Sequence, residues 1–107
     1  ENSDKFLRDF IHVDDVCHQT YSIYKNKTIS GIYNIGTAKE RSFQDIADVF
    51  KKRYDVKVTY IEMPEILKGK YQKFTKSDNT KINLVLPHNY LSLESGVGKY
   101  LDYLERQ

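Results

Sequence analysis

Twice along this chain a run of β-favouring side chains leads, through a capping residue, into apolar residues at helical spacing, and this alternation restricts the fold more than any other feature. Phe6 to Val13 is rich in side chains that suit a half-buried pleated surface, and Asp14 or Asp15 supplies an N-cap for a first helix. Val16, Cys17, Thr20, Tyr21 and Tyr24 then recur at helical spacing until residues 26–30 interrupt them. Gly31-Ile32-Tyr33-Asn34-Ile35-Gly36 is a second β-type run, closed by glycine and a polar loop from Thr37 to Arg41. Ser42 with Asp45 three residues on has the pattern of a capping box. Phe43, Ile46, Ala47, Phe50 and Tyr54 then predict the buried face of a second helix.

The second half continues the theme. Val56 to Met63 reads as a third strand, stopped by Pro64, which has no N–H to give a ladder. After a basic segment from Leu67 to Lys76, Ser77 or Asp78 caps a short helix running to Leu86, with Pro87 marking its end. A last helix starts near Ser92 and places Leu93, Val97, Tyr100, Leu101 and Leu104 on one face. Such alternation predicts an α/β fold in which helices cover a small sheet.

Composition fits one folded unit over residues 1–107. Hydrophobic residues make up 39% and charged residues 30%, too apolar for a disordered tail and enough for one modest core. The net charge of +2 comes from seventeen Lys and Arg spread along the chain, which disfavours a nucleic-acid-binding arm. No apolar stretch approaches the ~20 residues of a membrane span, and the amino terminus has no signal-peptide core, so a cytoplasmic protein is expected. The lone Cys17 cannot form an internal disulfide and reads as a buried small hydrophobe rather than a nucleophile. The chain opens at Glu1 rather than methionine, which suggests a fragment boundary.

Few residues stand out as chemistry. His12, Asp15 and His18 are metal-ligand types, but His12 precedes the helix and His12 and His18, six apart, face different ways, so no metal site is expected. Arg8 lies between Leu7 and Phe10, where apolar packing would hold its planar fork for bidentate bonds to a phosphate; an intramolecular pair with Asp9 or a later carboxylate is the alternative. Lys68-Gly69-Lys70-Tyr71-Gln72-Lys73-Phe74-Thr75 mixes cations, rings and a glycine that permits close backbone approach, so it suits either an anionic ligand or a solvated loop anchored by Tyr71 and Phe74. Nine Tyr and five Phe could stack bases between lysines, but Tyr21, Tyr24, Phe43, Phe50, Tyr54 and Tyr100 fall at core-facing spacing and are assigned to packing.

Arg8-Asp9-Phe10-Ile11-His12-Val13-Asp14-Asp15-Val16, then Tyr33-Asn34-Ile35-Gly36-Thr37 and Ser42, resemble the carboxy-terminal region of the extended short-chain dehydrogenase/reductases that act on nucleotide-sugars. The basic run from Lys68 to Thr75, with Asp78 and Thr80, resembles more narrowly the ADP-glyceromanno-heptose 6-epimerases within that family. The resemblance covers nearly the whole chain in order. It implies a substrate-binding domain in which Arg8 grips the sugar-nucleotide diphosphate, Tyr71 contacts the substrate, and Glu1, Asn2 and Ser3 lie in a substrate-contacting run. Two positions depart from the pattern: Asn2 stands where Gly is common, and Ala38 replaces a frequent Gly.

For a complete enzyme the resemblance implies an ADP-heptose substrate, transient oxidation at C6 by bound NADP, and hydride return to the opposite face, in an assembly that is a homo-oligomer. It places the Gly-rich dinucleotide fingerprint and the proton-transferring Tyr-x-x-x-Lys pair upstream, in an amino-terminal Rossmann domain. No catalytic residue is therefore assigned within this chain, and alone it is expected to be inactive. Another extended-family epimerase or dehydratase using a UDP-, GDP- or dTDP-sugar is the nearest alternative. A small nonenzymatic nucleic-acid-binding module is the alternative from another class.

Overall fold

A computed structural model describes residues 5–26, 30–62, 64–65, 69 and 73–107. At its centre is a very short sheet: β1 (Leu7–Arg8) runs antiparallel to β2 (Arg41–Ser42), with Leu7 opposite Ser42 and Arg8 opposite Arg41. On its other edge Leu7 makes a parallel bridge to Phe74, through Leu7 N–H to the Lys73 carbonyl at 2.7 Å and Thr75 N–H to the Leu7 carbonyl at 3.0 Å. Helices α1 (Val13–Lys25), α2 (Phe43–Arg53), α3 (Thr80–Asn83) and α4 (Leu93–Glu105) complete the described elements. The predicted α/β class holds, with a much smaller sheet than three full strands would make.

Local chemistry sets the helix starts. Ser42 and Asp45 form the anticipated capping box, with Ser42 Oγ accepting from the Asp45 N–H and Asp45 accepting from the Ser42 N–H. Ser92 caps α4 through the Ser95 N–H, as anticipated. At α1 the cap is His12, whose Nδ1 accepts from the Asp14 N–H, two residues before Asp14 and three before Asp15, the expected caps. Asp14 and Asp15 instead occupy its first turn, where acidic groups complement the macrodipole. Asn79 holds the cap position of α3 while Asp78 closes a turn onto Thr80; helical structure stops at Asn83, short of the predicted Leu86.

Three strand predictions are corrected. Phe6 to Val13 contributes only Leu7 and Arg8 to pairing, and neither 31–36 nor the described part of 56–63 belongs to a strand. A strand is defined by a neighbouring strand that pairs with its N–H and C=O groups, and among the described residues no strand lies beside these segments. The α1 prediction also needs correcting. Its buried residues are Asp15 and Gln19, while Cys17, Tyr21 (59%) and Tyr24 (80%) are exposed. Cys17 lies two positions from Asp15, about 200° round the helix, and so faces away from the packed side.

The main packing is α2 against α4, with Phe10 set edge-on to Phe43 at a centroid distance of 5.4 Å. Ile82, Leu93 and Leu101 are buried, but Phe43, Ile46, Ala47 and Phe50 are only half-buried and Tyr100 is 53% exposed, so the predicted helix faces are incompletely covered. The molecule is a slab of 49 × 38 × 19 Å with a radius of gyration of 16.5 Å, against about 13 Å for a compact domain of this length.

Candidate substrate-binding site

Arg8 stands at the middle of the small sheet, half-buried, with its guanidinium 5.8 Å from the centre of the Phe43 ring and Nη1 donating to the Leu7 carbonyl at 2.9 Å. The ring faces the delocalised head, the kind of support that keeps a planar fork in one orientation. Glu1, Asn2, Ser3 and Tyr71, the other substrate-contacting candidates, lie outside the described residues. Of the proposed grip, the structure thus describes Arg8 and the segment leaving the basic loop at Lys73, which pairs directly with Leu7.

Asp9, the next residue, is bound by two other stretches of chain, at Thr37–Ala38 and at Ser77. Its Oδ1 accepts from Thr37 N–H at 2.8 Å and from the Thr37 hydroxyl; its Oδ2 accepts from the Ala38 and Ser77 N–H groups, both at 2.9 Å. Burial pushes this carboxyl up, but the Thr37 hydroxyl and the N–H groups of Ser77, Thr37 and Ala38 outweigh it and hold the pKa below the ordinary value. Ala38 reaches its place with φ at +62°, in the left-handed region that frequently takes glycine. Gly36 is required on steric grounds: a Cβ there would stand 2.5 Å from Ser77 Cβ and 2.7 Å from Asp9 Oδ2. Asn79, buried, adds a bond from Nδ2 to the Gly36 carbonyl at 2.8 Å.

A second polar cluster fixes the start of α1 to the loop before α4. Buried Asp15 accepts from Leu91 N–H at 2.9 Å and stands 2.8 Å from His88 Nε2. Gln19, 1% exposed, donates to the Leu86 carbonyl and to the Tyr90 hydroxyl. His18 stacks on His88 with ring centres 4.3 Å apart. Sequence patterns assign Asp15 only a capping or ligand role and miss this cluster, because its partners are 67 to 76 residues away. Among the described residues no group of three His, Cys, Asp or Glu is arranged to hold a metal.

Between the Thr37–Arg41 loop, α3 and the 88–93 loop lies a pocket of about 410 Å³ with Lys39, Asn83 and Asn89 on its walls. A separate apolar cleft of about 470 Å³ runs between α2 and α4, lined by Ile46, Phe50, Val97 and Leu104 among others.

The residues of this chain do not fit a dinucleotide cofactor. No G-x-G-x-x-G occurs in the sequence. One Tyr-x-x-x-Lys spacing does occur, Tyr21 and Lys25 on α1. Lys25 Nζ lies over the Tyr21 ring, 5.5 Å from its centre, on the exposed side of the helix, an arrangement of surface packing rather than a cofactor-facing pair.

No family model matches the chain. It is 40% identical over 99% of its length to an ADP-L-glycero-D-manno-heptose-6-epimerase of Brachyspira hyodysenteriae, of which it spans 34%. The crystal structure of the Helicobacter pylori ADP-L-glycero-D-manno-heptose-6-epimerase matches 97% of this chain with a TM-score of 0.78 and 32% identity, over 32% of that protein. An NAD-dependent NDP-hexosamine 5,6-dehydratase of tunicamycin biosynthesis matches the whole chain with a TM-score of 0.82 over 35% of its own length, but at 15% identity it supports the fold alone. The chain is homologous over essentially its whole length to about a third of the ADP-L-glycero-D-manno-heptose-6-epimerases, and has the fold of that part of the extended short-chain dehydrogenase/reductases.

Proposed function

We propose that residues 1–107 are a carboxy-terminal substrate-binding domain, the part of an ADP-heptose 6-epimerase that holds the nucleotide-sugar while its C6 centre is inverted. The observation that carries this reading is the 40% identity to a heptose epimerase across 99% of the chain, with Arg8 supported at the centre of the sheet. Arg8 grips the diphosphate, Tyr71 contacts the substrate, and Ser3, with Glu1 and Asn2, completes the contact run. These groups bind and orient; their contribution is to fix the ADP end while the sugar end is re-presented, so that remote binding energy lowers the barrier at a distant carbon.

The redox step belongs to the parent enzyme's other two-thirds. An amino-terminal Rossmann domain there binds NADP, and the part assigned to the residues of this chain is binding and orientation of the nucleotide-sugar rather than hydride transfer. The parent is a cytoplasmic homo-oligomer supplying heptose for the lipopolysaccharide core. Among the described residues no helix is long and apolar enough to cross a membrane.

Competition by free nucleotides on the full-length enzyme tests the assignment. ADP should displace substrate more strongly than UDP, GDP or dTDP, and ADP-D-glycero-D-manno-heptose should be converted to its L-glycero epimer. A preference for UDP or dTDP, with no turnover of the ADP-heptose, would move the protein to another nucleotide-sugar enzyme of the same fold.

A further inference from the structure

Resting on the reading that Arg8 holds the substrate diphosphate, we propose that Asp9 is a positioning residue for that grip: its carboxylate locks the strand bearing Arg8 to the segment that leaves the basic loop.

The pattern of bonds argues for it. Beside Leu7 the chain forms one rung of a parallel ladder, with Leu7 N–H bonded to the Lys73 carbonyl and Thr75 N–H to the Leu7 carbonyl. In a parallel ladder the next N–H, that of Ser77, would go to the carbonyl of Asp9. Instead it goes to Asp9 Oδ2 at 2.9 Å. The side chain takes over the rung and brings in a third segment, since Thr37 and Ala38 donate to the same carboxylate. Both oxygens are used, so the knot needs an acceptor on each. Neighbouring side chains in extended backbone point to opposite sides. Anchoring Asp9 into the knot therefore directs Arg8 to the other side, where Phe43 meets its guanidinium.

The knot also has little slack. Gly36 leaves no room for a methyl group between Ser77 and Asp9, and Ala38 accepts a left-handed conformation while its N–H donates to Oδ2. Strain kept by a non-glycine residue needs surroundings that over-determine it. The consequence is a fixed distance between Arg8 and the chain that emerges from the basic loop, the two described ends of the proposed grip.

A double-mutant cycle in the full-length enzyme tests this, comparing Asp9→Asn, Arg8→Ala and the pair by KM and kcat for ADP-heptose and by calorimetric Kd for ADP. Asparagine offers one acceptor oxygen and turns an amide NH₂ against two of the four donors, so the knot opens with little change in volume. The expected result is a rise in KM and Kd of roughly tenfold for Asp9→Asn with kcat held within about twofold, shrinking to under about twofold when Arg8 is already alanine. An equal rise in both backgrounds, or a loss confined to kcat, overturns the positioning role while leaving the Arg8 assignment standing. Arg8→Ala with unchanged KM overturns the diphosphate reading and this inference with it. If Asp9→Asn does not fold, Thr37→Val, which removes the hydroxyl donor alone, is read by the same criteria.

Discussion

Gly36 and Ala38 sit two residues apart with opposite conformational problems. At Gly36 a methyl group would press on both Ser77 and Asp9, so Gly36→Ala should destabilise the protein by about 1–3 kcal/mol in urea denaturation, as overpacking does. At Ala38 the backbone already pays for a left-handed turn, and Ala38→Gly should raise stability by roughly 0.5–1 kcal/mol in the same measurement. Unchanged midpoints for both would mean that the loop does not hold this conformation. The Ser42 and Asp45 capping box is legible in the sequence because it is a local pattern. The Asp9 and Asp15 networks were not legible, since a carboxylate's partners 28 to 76 residues distant leave no spacing signal.

Among the elements, α2 and α4 are tied by charges at both ends. Arg41 bonds to Glu94 and Asp45, and Arg53 bonds to Asp102 and Glu105. The Arg41 guanidinium pulls the Glu94 carboxyl down to about 2, and the Ser42 N–H outweighs burial to lower Asp45, with Arg41 adding to the effect. A folded-state pKa below the unfolded value means stability that is present above the ordinary carboxylate range and lost as pH falls toward the folded pKa. Thermal midpoints should therefore drop between about pH 4.5 and pH 2, and Glu94→Gln should flatten part of that slope while lowering the midpoint slightly at pH 7. An identical slope in the variant would remove this pair from the acid response. The helix starts at Ser42 and Ser92 were readable because a cap is a three-residue matter. Residues 31–36 and 56–62 have strand-like composition but form no strand, because side-chain preference can favour extended backbone but cannot supply the neighbouring strand that makes it part of a sheet.

At the scale of the whole molecule, the accessible surface is 8131 Å², about 1,900 Å² above the roughly 6,200 Å² typical of a folded monomer of this mass. The excess is more than twice the ~800 Å² that one partner gives to a standard interface. It includes Tyr24, Ile32, Ile61 and Leu84, each more than two-thirds exposed. Periodicity places the apolar faces of α2 and α4, though not that of α1, and their cover is incomplete among the described residues. In the proposed enzyme the remaining two-thirds provides that cover. Residues 1–107 alone should accordingly self-associate with rising concentration in sedimentation velocity, and should neither bind NADP nor turn over ADP-heptose. A monodisperse monomer at all concentrations would show that these faces need no partner.

In the proposed function Arg8, set against Phe43 and beside the anchored Asp9, grips a nucleotide-sugar diphosphate. Calorimetry of ADP-heptose with the full-length enzyme and its Arg8→Ala variant tests it most directly. Loss of a charge-assisted bidentate contact should weaken binding by about tenfold to a hundredfold without lowering the thermal midpoint by more than a few degrees. Binding within twofold of the parent protein would contradict it.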